Sequence, residues 1–185
     1  FQTDPQGGGD VSIVPEDNAT SIQRFRSGSI DGAWVPEPWV AQLVRVGGGK
    51  VLVDEATQWP RGRFATAELL VRTDFLNQHP GLVADLVLGQ LRANDYVNQN
   101  PAASQQIVHQ AITQLTGSAL PASLVAAAWQ DLTFTDDPVA SSLSVSAQHA
   151  HAVGLLGNVN LKGIFDLGPL NQALAKAGEP QVSSS

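Results

Sequence analysis

The stretch Ser27-Gly-Ser-Ile-Asp-Gly-Ala-Trp-Val-Pro-Glu-Pro-Trp39 decides the fold, because the spacing of its apolar residues changes in the middle. A mostly apolar run from Ile30 to Val35 ends in Pro36-Glu37-Pro38, and a second apolar run with helical spacing follows. The pattern predicts a buried strand, a sharp turn and a helix. Such a junction projects the turn beyond the carboxyl end of a sheet, where open α/β folds bind ligands.

The residue types in this turn suit a small organic ligand. Two tryptophans, two prolines and one carboxylate offer aromatic faces and an acid to a ligand with a positive or hydrogen-bonding end. A purely structural interpretation stays open beside it. In that interpretation Trp34 and Trp39 belong to the core, and Glu37 only favours the start of a helix.

Composition narrows the class of protein. The 185 residues have room for one ordinary domain or two small lobes, and a hydrophobic content of 43% supports a core. A net charge of −7 without a basic stripe excludes nucleic acid as a partner and disfavours docking on anionic lipid. Without cysteine, disulfides, cysteine-bound zinc and thiol catalysis are excluded. No apolar run approaches the ~18 residues of a membrane span. Because the chain does not begin with Met, we expect it to be processed or to lack an N-terminal portion.

Periodicity predicts an α/β fold with few parallel strands and many helices, in βαβα order at first and mostly helical later. Short strands are predicted at 11–14, 30–35, 50–54 and 66–71, with a further candidate at 132–135. Helices are predicted at about 17–27, 39–46, 73–79, 80–99, 101–116, 121–131, 138–154 and 169–177. Prolines at 80, 101, 121 and 138 mark four of the helix starts.

Several segments in order resemble the substrate-binding proteins of bacterial ABC importers for sulfonates, nitrate and taurine. The segment from Phe25 to Trp39 carries the family's strand ending in a Trp and a "Glu-Pro" turn. Downstream, similar segments are Lys50-Val-Leu-Val-Asp54, Phe64-Ala-Thr66, Asp74-Phe-Leu-Asn-Gln-His-Pro80, Phe134-Thr-Asp-Asp-Pro138 and Leu161-Lys-Gly-Ile-Phe-Asp-Leu167. The resemblance covers nearly all of residues 10–180.

The resemblance implies the C-terminal part of a periplasmic-binding-protein-like fold, in which two lobes close on a ligand about a hinge. By this resemblance residues 1–55 form the end of the second lobe and 56–65 the hinge or linker. Residues 66–178 return to the first lobe, and 179–185 form a tail. The absence of the first strands leads us to expect a further chain or segment that completes the fold.

The resemblance also assigns roles to five residues. Glu37 takes the place of the carboxylate that faces the ligand amine in taurine-type relatives, and Trp34 and Pro36 form walls of the site. Thr66 offers a hydroxyl or backbone donor, and Arg63 pairs with an anionic group. For Arg63 the alternative interpretation is a solvated linker charge.

The expected function is therefore a non-catalytic receptor for a small organosulfonate, taurine-like or related nitrogen or sulfur compound. Its partner is an ABC permease at the outer face of the membrane, and its place is periplasmic or extracellular, attached to the cell surface as in a lipoprotein. No cofactor is expected. The alternatives are an enzyme on the same fold, similar to the pyrimidine synthases of thiamine biosynthesis, and a ligand-free fragment that binds a partner.

Three other groups of residues do not favour a metal site or a phosphate-binding site. His149 and His151, two apart on a helix, lie about 200° apart and cannot share a metal. Asp136 and Asp137 precede Pro138, which favours helix capping over cation binding. The glycine triplets lack the flanking pattern of a phosphate-binding loop.

Overall fold

The computed structural model describes residues 3–4, 9–117 and 119–183, and about 56% of the chain is helical. Two short strands, β1 (Thr3–Asp4) and β2 (Val11–Ser12), pair in parallel, with Thr3 opposite Val11 and Asp4 opposite Ser12. The helices are α1 (Asn18–Arg26), α2 (Trp39–Arg45), α3 (Thr73–Gln78), α4 (Pro80–Gln99), α5 (Pro101–Thr116), α6 (Ala122–Ala128), α7 (Ala140–Ala152) and α8 (Gly168–Ala177). Few parallel strands and many helices are the fold class that the sequence predicts.

Local signals set the ends of the helices. The Asp17 carboxylate accepts the backbone N–H of Thr20 at 2.8 Å and caps α1. Pro80 and Pro101 are the first residues of α4 and α5, where the missing proline N–H costs no helical hydrogen bond. Gly178 ends α8 with a φ of 77°, a left-handed conformation that glycine adopts without strain. Helix α7 begins at Ala140, two residues later than predicted.

Most of the predicted strands are wrong. Residues 11–14 contribute β2, but 30–35, 50–54, 66–71 and 132–135 contain no strand. Leu52 and Leu70, which lie in two of these segments, are 95% and 86% exposed. A strand exists through hydrogen bonds to a neighbour, and within the described residues these segments have no strand beside them. The segment at 56–65, expected to form the hinge or linker, overlaps two 3-10 turns, Glu55–Gln58 and Pro60–Gly62.

The chain divides into two compact units. Unit 1 comprises Phe1–Leu52 and Gln105–Leu132, and unit 2 comprises Val53–Ser104 and Thr133–Ser185. The predicted boundaries of lobes and hinge remain a prediction.

The core of unit 1 lies between α2 and α6. Ala41 of α2 packs against Leu124 and Ala128 of α6. The glycines after α2 permit close contact with α1, because a Cβ on Gly47 would come within 3.3 Å of the Phe25 ring of α1. This packing holds the start of α2, and so the turn before it, in place.

The core of unit 2 lies between α4 and α8. Leu91 packs against Ala173 and Leu174, and Leu91 and Leu174 are each only 2% exposed. The segment after α8 is held to the same core, since Asn171 donates to the carbonyl of Val182 at 3.0 Å and accepts its N–H at 2.9 Å. These bonds fix the position of Val182 relative to α8.

Candidate functional site

The predicted turn at residues 36–38 leads directly into α2. The N–H of Trp39 donates to the carbonyl of Pro36 at 2.9 Å, which closes the turn. The Glu37 side chain bends over the start of the helix and accepts the N–H of Ala41 at 3.1 Å. The structural role considered for Glu37 is therefore confirmed, because its carboxylate satisfies one of the free amides at the helix start.

The environment of Glu37 disfavours its negative charge. Partial burial raises the pKa of the Glu37 carboxyl, the hydrogen bond from Ala41 opposes this, and the charge of Asp131 raises the pKa further. Asp131 ends the 3-10 turn that follows α6, the helix against which α2 packs. A cationic group placed beside Glu37 would offset both the burial and the repulsion.

The tryptophans of this turn differ in exposure. Trp34 is 72% exposed, so the interpretation that places it in the core is wrong. Pro36 is exposed as well, and Trp39 is half-buried. Trp34 and Pro36 thus present apolar surface within three residues of the half-buried Glu37 carboxylate.

The other two predicted site residues lie in unit 2. The Arg63 guanidinium forms an ion pair with Asp137 at 3.2 Å, and both side chains are partly exposed. The backbone beside it is fixed, because the N–H of Ala65 donates to the Ser142 hydroxyl of α7 at 3.0 Å. Thr66 is exposed. Arg63 is therefore not a free linker charge. Another anion could bind its guanidinium only by displacing Asp137.

Described residues of unit 2 line two depressions. One of about 260 Å³ lies between α7 and residues 161–165. The other, of about 300 Å³, is lined by Arg61, Arg63, Asp137, Val139, Ala140, Ser141, Gln181, Val182 and Ser183. The sequence predictions included Arg63 but missed Arg61. The signal that could have indicated Arg61 is the sequence Arg61-Gly62-Arg63, in which two arginines flank a glycine.

Three carboxyl groups approach one another elsewhere in unit 2. Oxygens of Asp95, Asp136 and Glu179 lie within 4.8 Å of each other. Asp136 already accepts the Asn94 amide at 2.7 Å, and Asn94 also donates to the carbonyl of Thr135 at 3.2 Å. These bonds attach the loop before α7 to α4, so Asp136 has a structural role.

The comparison with protein families identifies the class of this chain. Residues 3–112 match the NMT1-like family, and because this is more than half of its length, the chain belongs to that family. The family is mainly composed of substrate-binding proteins and includes those of ABC importers for nitrate and sulfonate. Its binding proteins are typically extracellular or periplasmic. The matched region includes Trp34, Glu37 and Arg63.

No curated protein and no solved structure matches the chain. Among the described residues, none of the helices combines the length and the apolar character needed to cross a membrane.

Proposed function

We propose that this chain is a solute-binding receptor of an ABC import system whose solute is a small organosulfonate similar to taurine. Family membership supports substrate binding and a permease partner in general. The choice of a solute that carries an amine depends on one observation, the half-buried Glu37 carboxylate in the same loop as exposed Trp34.

The charge of Glu37 favours an amine-bearing solute over a bare anion. A partly buried carboxylate repels nitrate or a simple sulfonate, whereas an ammonium group compensates the charge that burial disfavours. The exposed indole of Trp34 adds a face that attracts the same cation. In this proposal Pro36 restricts the turn and forms a wall beside the amine.

The remaining assignments follow from the family resemblance. Arg63 pairs with the anionic group of the solute, and Thr66 supplies a hydroxyl or backbone donor. The receptor delivers the solute to an ABC permease at the outer face of the membrane, from a periplasmic or extracellular location at the cell surface. Binding proceeds without catalysis, so taurine incubated with the protein is recovered unchanged, and its conversion to another compound would contradict this.

Calorimetric titration with taurine and ethanesulfonate tests the proposal, because the two differ by the amine. The wild-type chain is expected to bind taurine more tightly. Glu37→Gln removes the charge but keeps an oxygen that accepts the Ala41 N–H. Loss of one charge-assisted hydrogen bond corresponds to roughly ten-fold or more in affinity, so this variant loses the preference.

Asp31→Asn is the matched control, since it makes the same charge change at an exposed position of the same loop. It is expected to keep the preference for taurine. Equal affinities of the wild-type chain for the two compounds, or a preference that survives in Glu37→Gln, would contradict the proposal.

A further inference from the structure

The 300 Å³ depression of unit 2 combines two arginines with polar neighbours. Arg61 and Arg63 lie on its wall, together with one carboxylate, Asp137, and uncharged polar residues such as Ser141 and Gln181. The lining therefore carries a net positive charge in a chain whose net charge is −7. Among residues 9–117 and 119–183, no hydrogen bond or ion pair engages the Arg61 guanidinium.

Backbone strain is concentrated at this depression. The described residues include two non-glycine residues with positive φ, Arg61 at 59° and Val139 at 48°, and both lie on its wall. For a β-branched residue such as Val139 this conformation is a genuine outlier. Strained residues persist where surrounding contacts fix them, and they concentrate at binding and catalytic sites.

Visible contacts fix both strained positions. Asp137 accepts the N–H of Val139 at 2.9 Å and so holds the bend before α7. On the other side, Trp59 stacks on Phe64 with ring centroids 5.3 Å apart, which braces the turn that carries Arg61. The backbone segments on both sides of the depression are thus held in place by these contacts.

We propose that this depression binds a small oxyanion, sulfonate or phosphate, between Arg61 and Arg63. Guanidinium groups offer planar pairs of N–H donors that match such anions. The anion replaces Asp137 on Arg63, because an ion pair with both partners this exposed is weak. This site would add an anion-binding group to the proposed receptor. The inference rests on the proposed function only in one respect, that the bound oxyanion is the acidic group of the transported solute.

The test titrates the intact chain with methanesulfonate and, separately, with inorganic phosphate, observed by calorimetry. Arg61→Gln is expected to weaken binding about ten-fold or more, since it removes a charge-assisted contact. Asp137→Asn is expected to strengthen it about two- to five-fold, because it removes the competing charge but keeps an acceptor for the Val139 N–H. Binding also weakens with added salt.

Arg92→Gln is the matched control, an exposed arginine of α4 outside the depression, and it is expected to leave affinity unchanged. Tight binding of methanesulfonate supports an organic acid as the ligand, and tight binding of phosphate alone supports a phosphate site. Binding of neither anion, or affinities that are the same in Arg61→Gln and Arg92→Gln, would overturn the inference. Far-ultraviolet circular dichroism confirms that each variant is folded.

Taurine in the same titrations separates this inference from the proposed function. If methanesulfonate binds through Arg61 but taurine does not bind, the oxyanion site stands and the proposed receptor function fails. If taurine binding is lost in Glu37→Gln but unchanged in Arg61→Gln, the receptor function stands and the oxyanion site fails.

Discussion

Truncation of Leu91 to alanine removes the central contact of unit 2. Leu91 is 2% exposed and packs against Ala173 and Leu174. The substitution deletes three carbons, and at about 0.8 kcal/mol per buried carbon the lost transfer free energy is about 2.4 kcal/mol. A cavity left between α4 and α8 adds to this, so the free energy of unfolding is expected to fall by about 2–5 kcal/mol.

Urea denaturation followed by circular dichroism at 222 nm measures this change, because helix loss dominates that signal in a mostly helical chain. We expect a lower midpoint at an unchanged slope, which reports lost stability and not an altered unfolded state. Leu70→Ala is the control, since its side chain is 86% exposed and its effect is expected within about 0.5 kcal/mol. A Leu91→Ala effect as small as that of Leu70→Ala would refute the packing of α4 on α8.

Three further predictions follow from backbone geometry and charge. Gly89→Ala, at an exposed position within α4, is expected to raise stability by about 0.5–1 kcal/mol, whereas Gly178→Ala is expected to lower it by about 1 kcal/mol because its φ is 77°. Thermal melts that give both substitutions the same sign would contradict this contrast. Asp17→Ala is expected to cost about 1 kcal/mol through loss of the cap on Thr20, and an unchanged melting temperature would disprove the cap. Because burial raises the pKa of Glu37 above its ordinary value near 4.5, the folded state retains a proton that the unfolded state has released. This contribution makes the stability of the wild-type chain fall as the pH rises above about 4.5. The stability of Glu37→Gln relative to wild type is therefore expected to increase between pH 4 and pH 7. A stability difference that does not change with pH would contradict this prediction.

The helices were predictable because their signals are local. Pro80 and Pro101 mark the starts of α4 and α5, and Gly178 marks the end of α8. Between such signals, apolar residues with helical spacing indicate the helices themselves. The strands at 30–35, 50–54, 66–71 and 132–135 were not predictable in the same way. An apolar run does not determine whether a second strand lies beside it to complete the hydrogen bonds.

In the candidate site, the local features were predictable from the sequence, whereas the contacts between residues distant in sequence were not. The turn before α2 and the place of Glu37 at the start of that helix follow from the Pro36-Glu37-Pro38 pattern, whereas the partial burial of Glu37 depends on the packing of α2 on α6. The ion pair of Arg63 with Asp137 and the anchoring of Ala65 by Ser142 join residues more than 70 positions apart. Arg61 was missed because an arginine in an aperiodic loop has the same sequence pattern as any solvated charge. Only the fold places Arg61 and Val139, about 80 positions apart in sequence, on the wall of one depression.

A nuclear magnetic resonance titration of the four tryptophan indole N–H groups with taurine tests directly whether the solute binds at the turn before α2. Trp34, assigned with a Trp34→Phe variant, is 72% exposed three residues before Glu37, whereas Trp59 is stacked against Phe64. Binding of taurine at this turn predicts a saturable shift of the Trp34 signal that is lost in Glu37→Gln, with the Trp59 signal unmoved. A Trp34 signal that stays fixed at saturating taurine, or that moves equally in Glu37→Gln, would contradict it.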